Sequence, residues 1–296
     1  MRRHFIAAVG VLLLTAPAPA HAWSYDLHRF IMDRAIALLP QELRPVFEKN
    51  RAIVVERSID PDTWRVAGFG EEDPNHFLNI DWGGYGTYPF TGLPREHGAA
   101  VERFGVEELL LHGTLPWRIE ELHGSLRRAF EAYAKSPIGP FNIMLFSAAL
   151  SHYIADATQP FHATANFDGQ ITGQRGLHSR FETILFERYR SRLTIAPPAI
   201  PPVRNPLAFA FDTILESSQL VAPLLKADAE AIGNRDAYDD MYYEAFFRAA
   251  SPVFERRINT AIGAVAAMIT GAWEAAGKPA VPADPPPRPP ERRRRP

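Results

Sequence analysis

A long run of mostly apolar residues at positions 140–158 constrains the fold of this chain more than any other feature. The run is long enough for a helix, it ends before Pro160, and its composition predicts burial on most sides. It nevertheless carries His152 and Asp156, which are four residues apart and therefore share one helix face. Buried polar groups need partners. The fold must bring other polar groups, or a metal ion, to this face.

A second pair of histidine and carboxylate follows shortly afterwards. His178 and Glu182 are also four residues apart, and His162 lies between the two pairs. The chain contains no cysteine. Histidine nitrogens and carboxylate oxygens are the ligands of hydrolytic zinc sites that lack thiolates. The spacing therefore predicts a zinc centre.

Apolar residues recur at helical spacing along most of the chain, and few segments alternate with a period of two. This pattern predicts an all-α fold, a single-domain multi-helix bundle with long irregular loops. The longest irregular stretch, residues 57–95, is rich in Gly, Pro, Asp and aromatic residues. Loops of that length are usually functional. Helices are predicted near residues 116–133, 140–158, 176–190, 207–229, 238–249 and 252–276.

Residues 1–22 are typical of a signal peptide. Two arginines precede an apolar stretch, and residues 20–22 form a small-x-small cleavage site. The apolar stretch is too short to span a bilayer, so cleavage is favoured over an uncleaved anchor. The predicted product begins at Trp23, has one domain over residues 23–283, and is exported to the periplasm or the extracellular space.

Residues 284–296 combine prolines with a run of four arginines, which predicts a disordered basic tail. We interpret the tail as solvated, with contact to anionic lipid or nucleic acid as the alternative. Without the signal peptide and the tail, the body carries a formal charge of about −7. Such an acidic body argues against long phosphate-tracking grooves, although bound zinc would reverse the sign locally.

Two further groups of candidate ligands precede these pairs. Trp23 and His28 open the predicted mature chain, and Asp60, Asp62 and His76 lie in the irregular stretch. With the signature His-x3-Asp-x2-Gln-Pro-x-His and then His-Ser-x2-Glu at 152–182, this set resembles the zinc-dependent phospholipase C and single-strand-specific zinc nuclease superfamily. The similarity covers nearly the whole predicted mature chain in order and is dense in the 152–182 block.

The resemblance implies a trinuclear zinc cleft. In that superfamily an N-terminal tryptophan binds zinc through its amino nitrogen and carbonyl oxygen, and the predicted cleavage would expose Trp23 at that place. Asp62 is preferred to Asp60 because its distance from His76 suits the family pattern better. The implied ligands are Asp62, His76, His152 and Asp156 for one ion, Trp23, His28 and the shared Asp156 for a second, and His162, His178 and Glu182 for a third.

The resemblance also implies catalytic and substrate-binding roles. Two bridged zinc ions can lower the pKa of a shared water to near neutrality and aim the hydroxide at phosphorus, with Asp62 and Asp156 as the catalytic carboxylates. Phe77 and Asn79 flank His76, where the resembling nucleases hold a base; core packing is the alternative for Phe77. Three other histidines are interpreted as surface or helix-end residues without a role: His97, His112 and His123.

These residues leave the substrate class open. Segments 163–167 and 176–182 are similar to the phospholipase branch, as is Glu182 where nucleases usually carry aspartate. The Gly-Gly-Asn common in the nucleases is missing, but Trp23 and His28 are spaced as in nucleases. We favour a phospholipase C-like phosphodiesterase acting on phospholipid head groups, with transient membrane-surface contact and no obligate protein partner. The alternatives are a single-strand-specific nuclease or nucleotidase, and a non-catalytic zinc-binding helical protein.

Overall fold

Every regular element in the described part of the chain is helical. The computed structural model describes residues 24–136 and 138–284, and those residues contain no β-strand, which confirms the predicted all-α class. The predicted signal peptide, Trp23 and residues 285–296 lie outside the described residues. The helices are α1 Tyr25–Ile36, α2 Arg44–Lys49, α3 Arg51–Glu56, α4 Asp60–Val66, α5 His97–Phe104, α6 Val106–His112, α7 Leu115–Glu131, α8 Gly139–Thr158, α9 Leu177–Ser179, α10 Leu185–Tyr189, α11 Pro206–Ser218, α12 Val221–Ile232 and α13 Asp240–Ala275.

Helix α8 lies at the centre of the fold. Pro140 occupies its first turn, where a missing N–H costs no hydrogen bond, and the helix ends at Thr158, two residues before Pro160, as predicted. Helices α1, α7, α11 and α13 pack against it and bury most of its length. Any polar side chain in the second half of α8 must therefore find its partners inside the protein.

The C-terminal helix is longer than the sequence pattern predicts. The pattern predicts a break between residues 249 and 252, but α13 continues through Pro252. A proline inside a helix costs about 3 kcal/mol. Phe247 and Phe254, on either side of it, are buried. Packing on both sides offsets this cost, so the prediction of two helices is wrong.

Other predicted elements are divided or are more regular than expected. Segment 207–229 forms α11 and α12, because Pro223 has no N–H for the carbonyl of Gln219 and fits the first turn of a new helix. Segment 176–190 forms α9, a π-helical turn at Arg180–Ile184, and α10. The stretch predicted as irregular contains α4 and short 3-10 segments at Arg57–Ile59, Gly70–His76 and Gly83–Tyr85.

The buried apolar residues form one continuous core around α8. Helices α7 and α13 contact each other as well as α8, and α12 packs on α13 from outside. Within residues 24–136 and 138–284, no helix has both the length and the apolar character needed to cross a membrane. Helix α8 lies inside this core, and its C-terminal half carries the candidate site.

Candidate metal centre

Helix α8 presents His152 and Asp156 to the protein interior from its last two turns. Both side chains are fully buried, and His152 Nε2 lies 3.4 Å from Asp156 Oδ2. The four-residue spacing places them on one helix face, as predicted. Helix α1 and helix α4 bring His28 and Asp62 to the same face, and the segment ending at His76 completes the cluster.

Four donor atoms converge in what we call the first group: Asp62, His76, His152 and Asp156. His76 Nδ1 lies 3.0 Å from Asp156 Oδ2 and 3.2 Å from His152 Nε2. Asp62 Oδ1 is 3.8 Å from both histidine nitrogens. Donor atoms on one tetrahedral zinc ion are roughly 3.3–3.6 Å apart, given zinc–ligand distances of about 2.0–2.2 Å. The donor atoms of Asp62, His76 and His152 lie close enough together for a single ion, and Asp156 Oδ2 lies beside the two histidines of this set.

The other carboxylate oxygen of Asp156 faces a different histidine. Asp156 Oδ1 lies 3.5 Å from His28 Nε2, and the His28 ring stacks on His152 with centroids 3.8 Å apart. We call His28 and Asp156 the second group. Trp23, its third predicted member, lies outside the described residues. Asp156 thus offers one oxygen to each group, which is the arrangement that a bridging ligand requires.

The third group consists of His162, His178 and Glu182. His178 Nε2 lies 2.9 Å from Glu182 Oε2 and 3.2 Å from His162 Nε2. His162 Nε2 is 4.0 Å from the same carboxylate oxygen. All three residues are buried. The eight predicted ligands within the described residues all belong to three buried sets of donors that can hold metal ions, and His152 is close to the donors of both the first and the second group.

The side chains of Asp62 and Asp60 have different surroundings in the structure. The Asp62 side chain is 1% exposed and belongs to the first group, whereas Asp60 forms an ion pair with Arg57 at 2.7 Å. Residues two apart on a helix point to different sides, so α4 can direct only one of these carboxylates to the centre. Asp62 is therefore the candidate ligand, and Asp60 serves as a natural control.

Several buried polar atoms of the centre make no hydrogen bond. They are both ring nitrogens of His28, Asp62 Oδ2, His76 Nε2 and Asp156 Oδ1. Unpaired buried polar atoms are rare and cost about 1–3 kcal/mol each. A cation between His28 and Asp156 would satisfy an atom of each residue. The donor set therefore fits bound metal.

Backbone carbonyls fix the orientation of three histidines. Because a carbonyl can only accept a hydrogen bond, each of these rings carries a proton on Nδ1 and directs its Nε2 toward its metal group. Sequence patterns contain no signal for such partners, since every residue has a carbonyl. The Nδ1–H groups donate from His152 to Ser58 at 2.8 Å, from His178 to Phe167 at 3.0 Å, and from His162 to His76.

Gln159 is a residue beside the third group that ligand spacing alone misses. Its Nε2 amide donates to Glu182 Oε2 at 2.9 Å and lies 3.2 Å from His178 Nε2. Its Oε1 accepts from the backbone N–H of Phe161. The fully buried amide therefore orients the carboxylate of the third group. Its position in the Gln-Pro-x-His signature is the one signal that could have indicated this role.

Burial shifts the charge states of the centre. It lowers the pKa of His28 and His76 well below the usual value and that of His152 to about 3, so these rings are neutral and carry a free lone pair at neutral pH. Burial raises the pKa of Asp62 to about 8. Burial first, and the Asp62 carboxylate second, also raise the pKa of Asp156. Carboxylates so poorly solvated bind a proton or a cation.

A cleft of about 260 Å³ opens beside the first and third groups. Phe77 and Asn79 line it together with His76, His162 and His178. Both flanking side chains are half-buried, so Phe77 is a wall of the cleft and not a core residue. The position agrees with the predicted substrate-binding role without testing it.

Arg65 is a second residue that the sequence pattern misses. It lines the same cleft, and its Nη1 lies 3.5 Å from Asp62 Oδ1 while its Nε donates to Asp73 Oδ1. It follows Asp62 by three residues on α4, which places both on one helix face. The sequence pattern of residues 57–95 predicts an irregular stretch, so this shared helix face is not apparent from the sequence. Among the lining residues, Arg65 is the one with a permanent positive charge.

The interpretation of the other three histidines is partly wrong. His123 is buried within α7, and burial lowers its pKa to about 4. His112 does end α6, but it is also buried and stacks on Trp82 with ring centroids 4.2 Å apart. His97 is exposed at the start of α5. None of the three belongs to a candidate metal group in the part of the chain that is described.

A comparison of this chain with protein-family models finds no match, and neither does a comparison with curated proteins. The interpretation of the site therefore rests on its donor atoms and on the resemblance of its motifs.

We expect Asp62→Asn to reduce the zinc content of the purified protein, and Asp60→Asn to leave it unchanged. Asparagine has nearly the same size as aspartate but offers a weaker, uncharged oxygen to a metal ion. Elemental analysis after dialysis, with a thermal scan to confirm folding, checks both variants. Equal zinc content in the two proteins would remove Asp62 from the ligand set.

Proposed function

We propose that this protein is an exported zinc-dependent phosphodiester hydrolase of the phospholipase C and single-strand-specific zinc nuclease superfamily, with phospholipid head groups as the favoured substrate. The observation that carries the proposal is the placement of Asp156. One of its oxygens is 3.0 Å from His76 Nδ1, and the other is 3.5 Å from His28 Nε2. Paired cations joined by a carboxylate are typical of enzymes that hydrolyse phosphate esters.

The residues of the three groups would hold the zinc ions, with the first and second groups joined through Asp156. Zinc bound there supplies Lewis acidity and neutralises negative charge on a phosphate group. The chain itself keeps His152 neutral, and it orients both His152 and His178 through hydrogen bonds to backbone carbonyls. Gln159 holds Glu182 in place. Little rearrangement is then needed when a substrate arrives.

Arg65 is the residue that we assign to phosphate binding. A planar guanidinium can pair with two phosphate oxygens at once. Its contact with Asp73 is easily exchanged for a substrate, because the Asp73 side chain is 61% exposed. A phosphate in the cleft would then lie between Arg65 and the metal groups.

The lining of the cleft supports a phospholipid over a nucleic acid. Leu111, Phe161 and Phe167 contribute to its walls, and Arg65 is its one permanent cation. Proteins that track single-stranded nucleic acid need several cations along the backbone of the strand. A nuclease is the second candidate, and Phe77 and Asn79 favour it, because an aromatic face and an amide can hold an unpaired base.

A paired assay tests the proposal. The same zinc-loaded preparation is incubated with phosphatidylcholine in mixed micelles and with single-stranded DNA and RNA, and the Asp156→Asn variant serves as the blank. Release of phosphocholine in excess of nucleotides supports the phospholipase assignment, and the reverse supports the nuclease. Hydrolysis of neither substrate by protein that holds three zinc ions would overturn the proposal in favour of a non-catalytic zinc protein.

We expect an extra residue before Trp23 to weaken metal binding at the second group. A free α-amino group has a lone pair for zinc, whereas a peptide nitrogen has none. Ser24 is buried, and its carbonyl accepts from the N–H of His28 at 3.2 Å, so the residue after Trp23 lies one helical turn from His28.

The experiment compares protein that starts at Trp23 with protein that carries one additional alanine, in zinc content and phosphodiesterase rate. The extended protein should fold normally but lose part of one zinc equivalent and most of its rate. Identical values for both proteins would show that the N-terminus is no ligand.

A further inference from the structure

A buried polar network beside the third group is centred on Arg180. This residue lies between His178 and Glu182 in the sequence, within the π-helical turn Arg180–Ile184. Its side chain is only 6% exposed. Its Nε and Nη2 donate to Asp228 Oδ1 on α12 at 3.2 and 3.0 Å. Arg180, which lies between two candidate ligands in the sequence, is thus hydrogen-bonded to a different helix.

The network continues from Asp228 to α13 and to the preceding loop. The Tyr242 hydroxyl on α13 donates to Asp228 Oδ1 and accepts from Arg180 Nε at 3.0 Å. Gln174 Nε2 donates to Asp228 Oδ2 at 2.8 Å. Asp228 and Tyr242 are fully buried. One guanidinium and one carboxylate balance in charge, so the network can lie in the interior without a counter-ion.

Arg180 also holds the chain that enters the turn. Its Nη1 donates to the carbonyl of Arg175 at 2.8 Å, and its Nη2 donates to that of Gln174 at 3.1 Å. Gly176 has a φ of 83°, and a Cβ at this position would lie 3.0 Å from Arg180 Nη1. Only glycine suits both the backbone angle and the close guanidinium. Arg180 therefore fixes the path of the chain on both sides of His178.

A π-helical turn that begins after His178 and contains Glu182 needs such a restraint. In a regular α-helix, residues four apart share a face, but an i→i+5 turn adds one residue and changes the direction of later side chains. We propose that the Arg180–Asp228–Tyr242 network is a positioning device that holds this turn, so that His178 and Glu182 both face His162. This inference rests on the proposed metal centre and is independent of the substrate.

The test compares Tyr242→Phe and Asp228→Asn with Tyr243→Phe as the matched control. Tyr243 is the neighbouring buried tyrosine, and its contact with Arg188 is made through its ring, which phenylalanine keeps. Zinc is removed stepwise with a competing chelator, and His178→Ala identifies which equivalent belongs to the third group. We expect roughly 10–100-fold weaker binding of that one equivalent in Tyr242→Phe, and a larger loss in Asp228→Asn. Cobalt substituted at that site should show an altered visible spectrum.

The two variants differ in risk, because Asp228→Asn removes the carboxylate beside a buried guanidinium and can unfold the protein. Tyr242→Phe removes one hydroxyl and keeps the Arg180–Asp228 ion pair. It therefore tests the inference even if Asp228→Asn does not fold. Unchanged binding of the third equivalent in folded Tyr242→Phe overturns the inference. So does an equal weakening of all three equivalents, which would indicate a general loss of stability. Absence of zinc from the unmodified protein would refute the proposed metal centre itself, a result that is distinct from these two.

Discussion

Replacing Asp156 with asparagine is expected to abolish phosphodiesterase activity more completely than replacing any single histidine of the centre. Its two carboxylate oxygens face His76 and His28 separately, so the substitution disturbs two metal groups at once. Asparagine removes the negative charge and offers one weaker oxygen. The expected loss is several orders of magnitude, where each ~1.4 kcal/mol of barrier is tenfold in rate. Initial rates on the preferred substrate at saturating zinc measure it.

Asp60→Asn is the matched control for this experiment. It makes the same chemical change on a carboxylate that pairs with Arg57 instead of entering the centre. We expect it to retain nearly full activity. An Asp156→Asn protein that is folded and zinc-loaded but keeps more than about a tenth of the rate would contradict the bridging assignment.

Removing zinc with a chelator is expected to lower the thermal unfolding midpoint by on the order of 10 °C or more. Each ion contributes about 4 kcal/mol when free zinc is 1,000 times its dissociation constant. One kcal/mol corresponds to roughly 2–4 °C in a large single domain. Without a cation, Asp62 and Asp156 remain buried near each other, and burial opposes their ionisation. Differential scanning calorimetry with and without chelator measures the shift.

Recovery of the unfolding midpoint with zinc, but not with magnesium, would distinguish the loss of bound metal from other effects of the chelator. Added zinc should restore the midpoint, whereas magnesium should not, because it prefers oxygen ligands in an octahedral arrangement and these groups are rich in histidine nitrogen. The Asp62→Asn variant should show a smaller shift, because it holds less zinc. A midpoint that is the same before and after complete zinc removal would show that the buried donors are satisfied without metal.

The sequence-based predictions agree best with the structure for features that depend on a single helix. His152 and Asp156 share a face because residues four apart lie on the same side of any α-helix. Helix α8 ends where predicted because the proline that follows it acts locally on the backbone. The prediction fails at Pro252, where burial of the residues around it outweighs a local signal. At segment 176–190 the predicted helix is present, but it contains a π-helical turn, which no periodicity predicts.

The sequence by itself determined the helical class and the residue types of the candidate ligands, because periodicity and side-chain chemistry are properties of neighbouring residues. Only the tertiary structure showed that Asp62, already preferred from its spacing, faces the histidines while Asp60 pairs with Arg57. It also directed the two oxygens of Asp156 to different histidines and brought Arg65 into the cleft. The tautomers of three histidines are likewise set by carbonyls far away in the chain. These features depend on the packing of α1 and α4 against α8, and such packing distances are not encoded in any one segment.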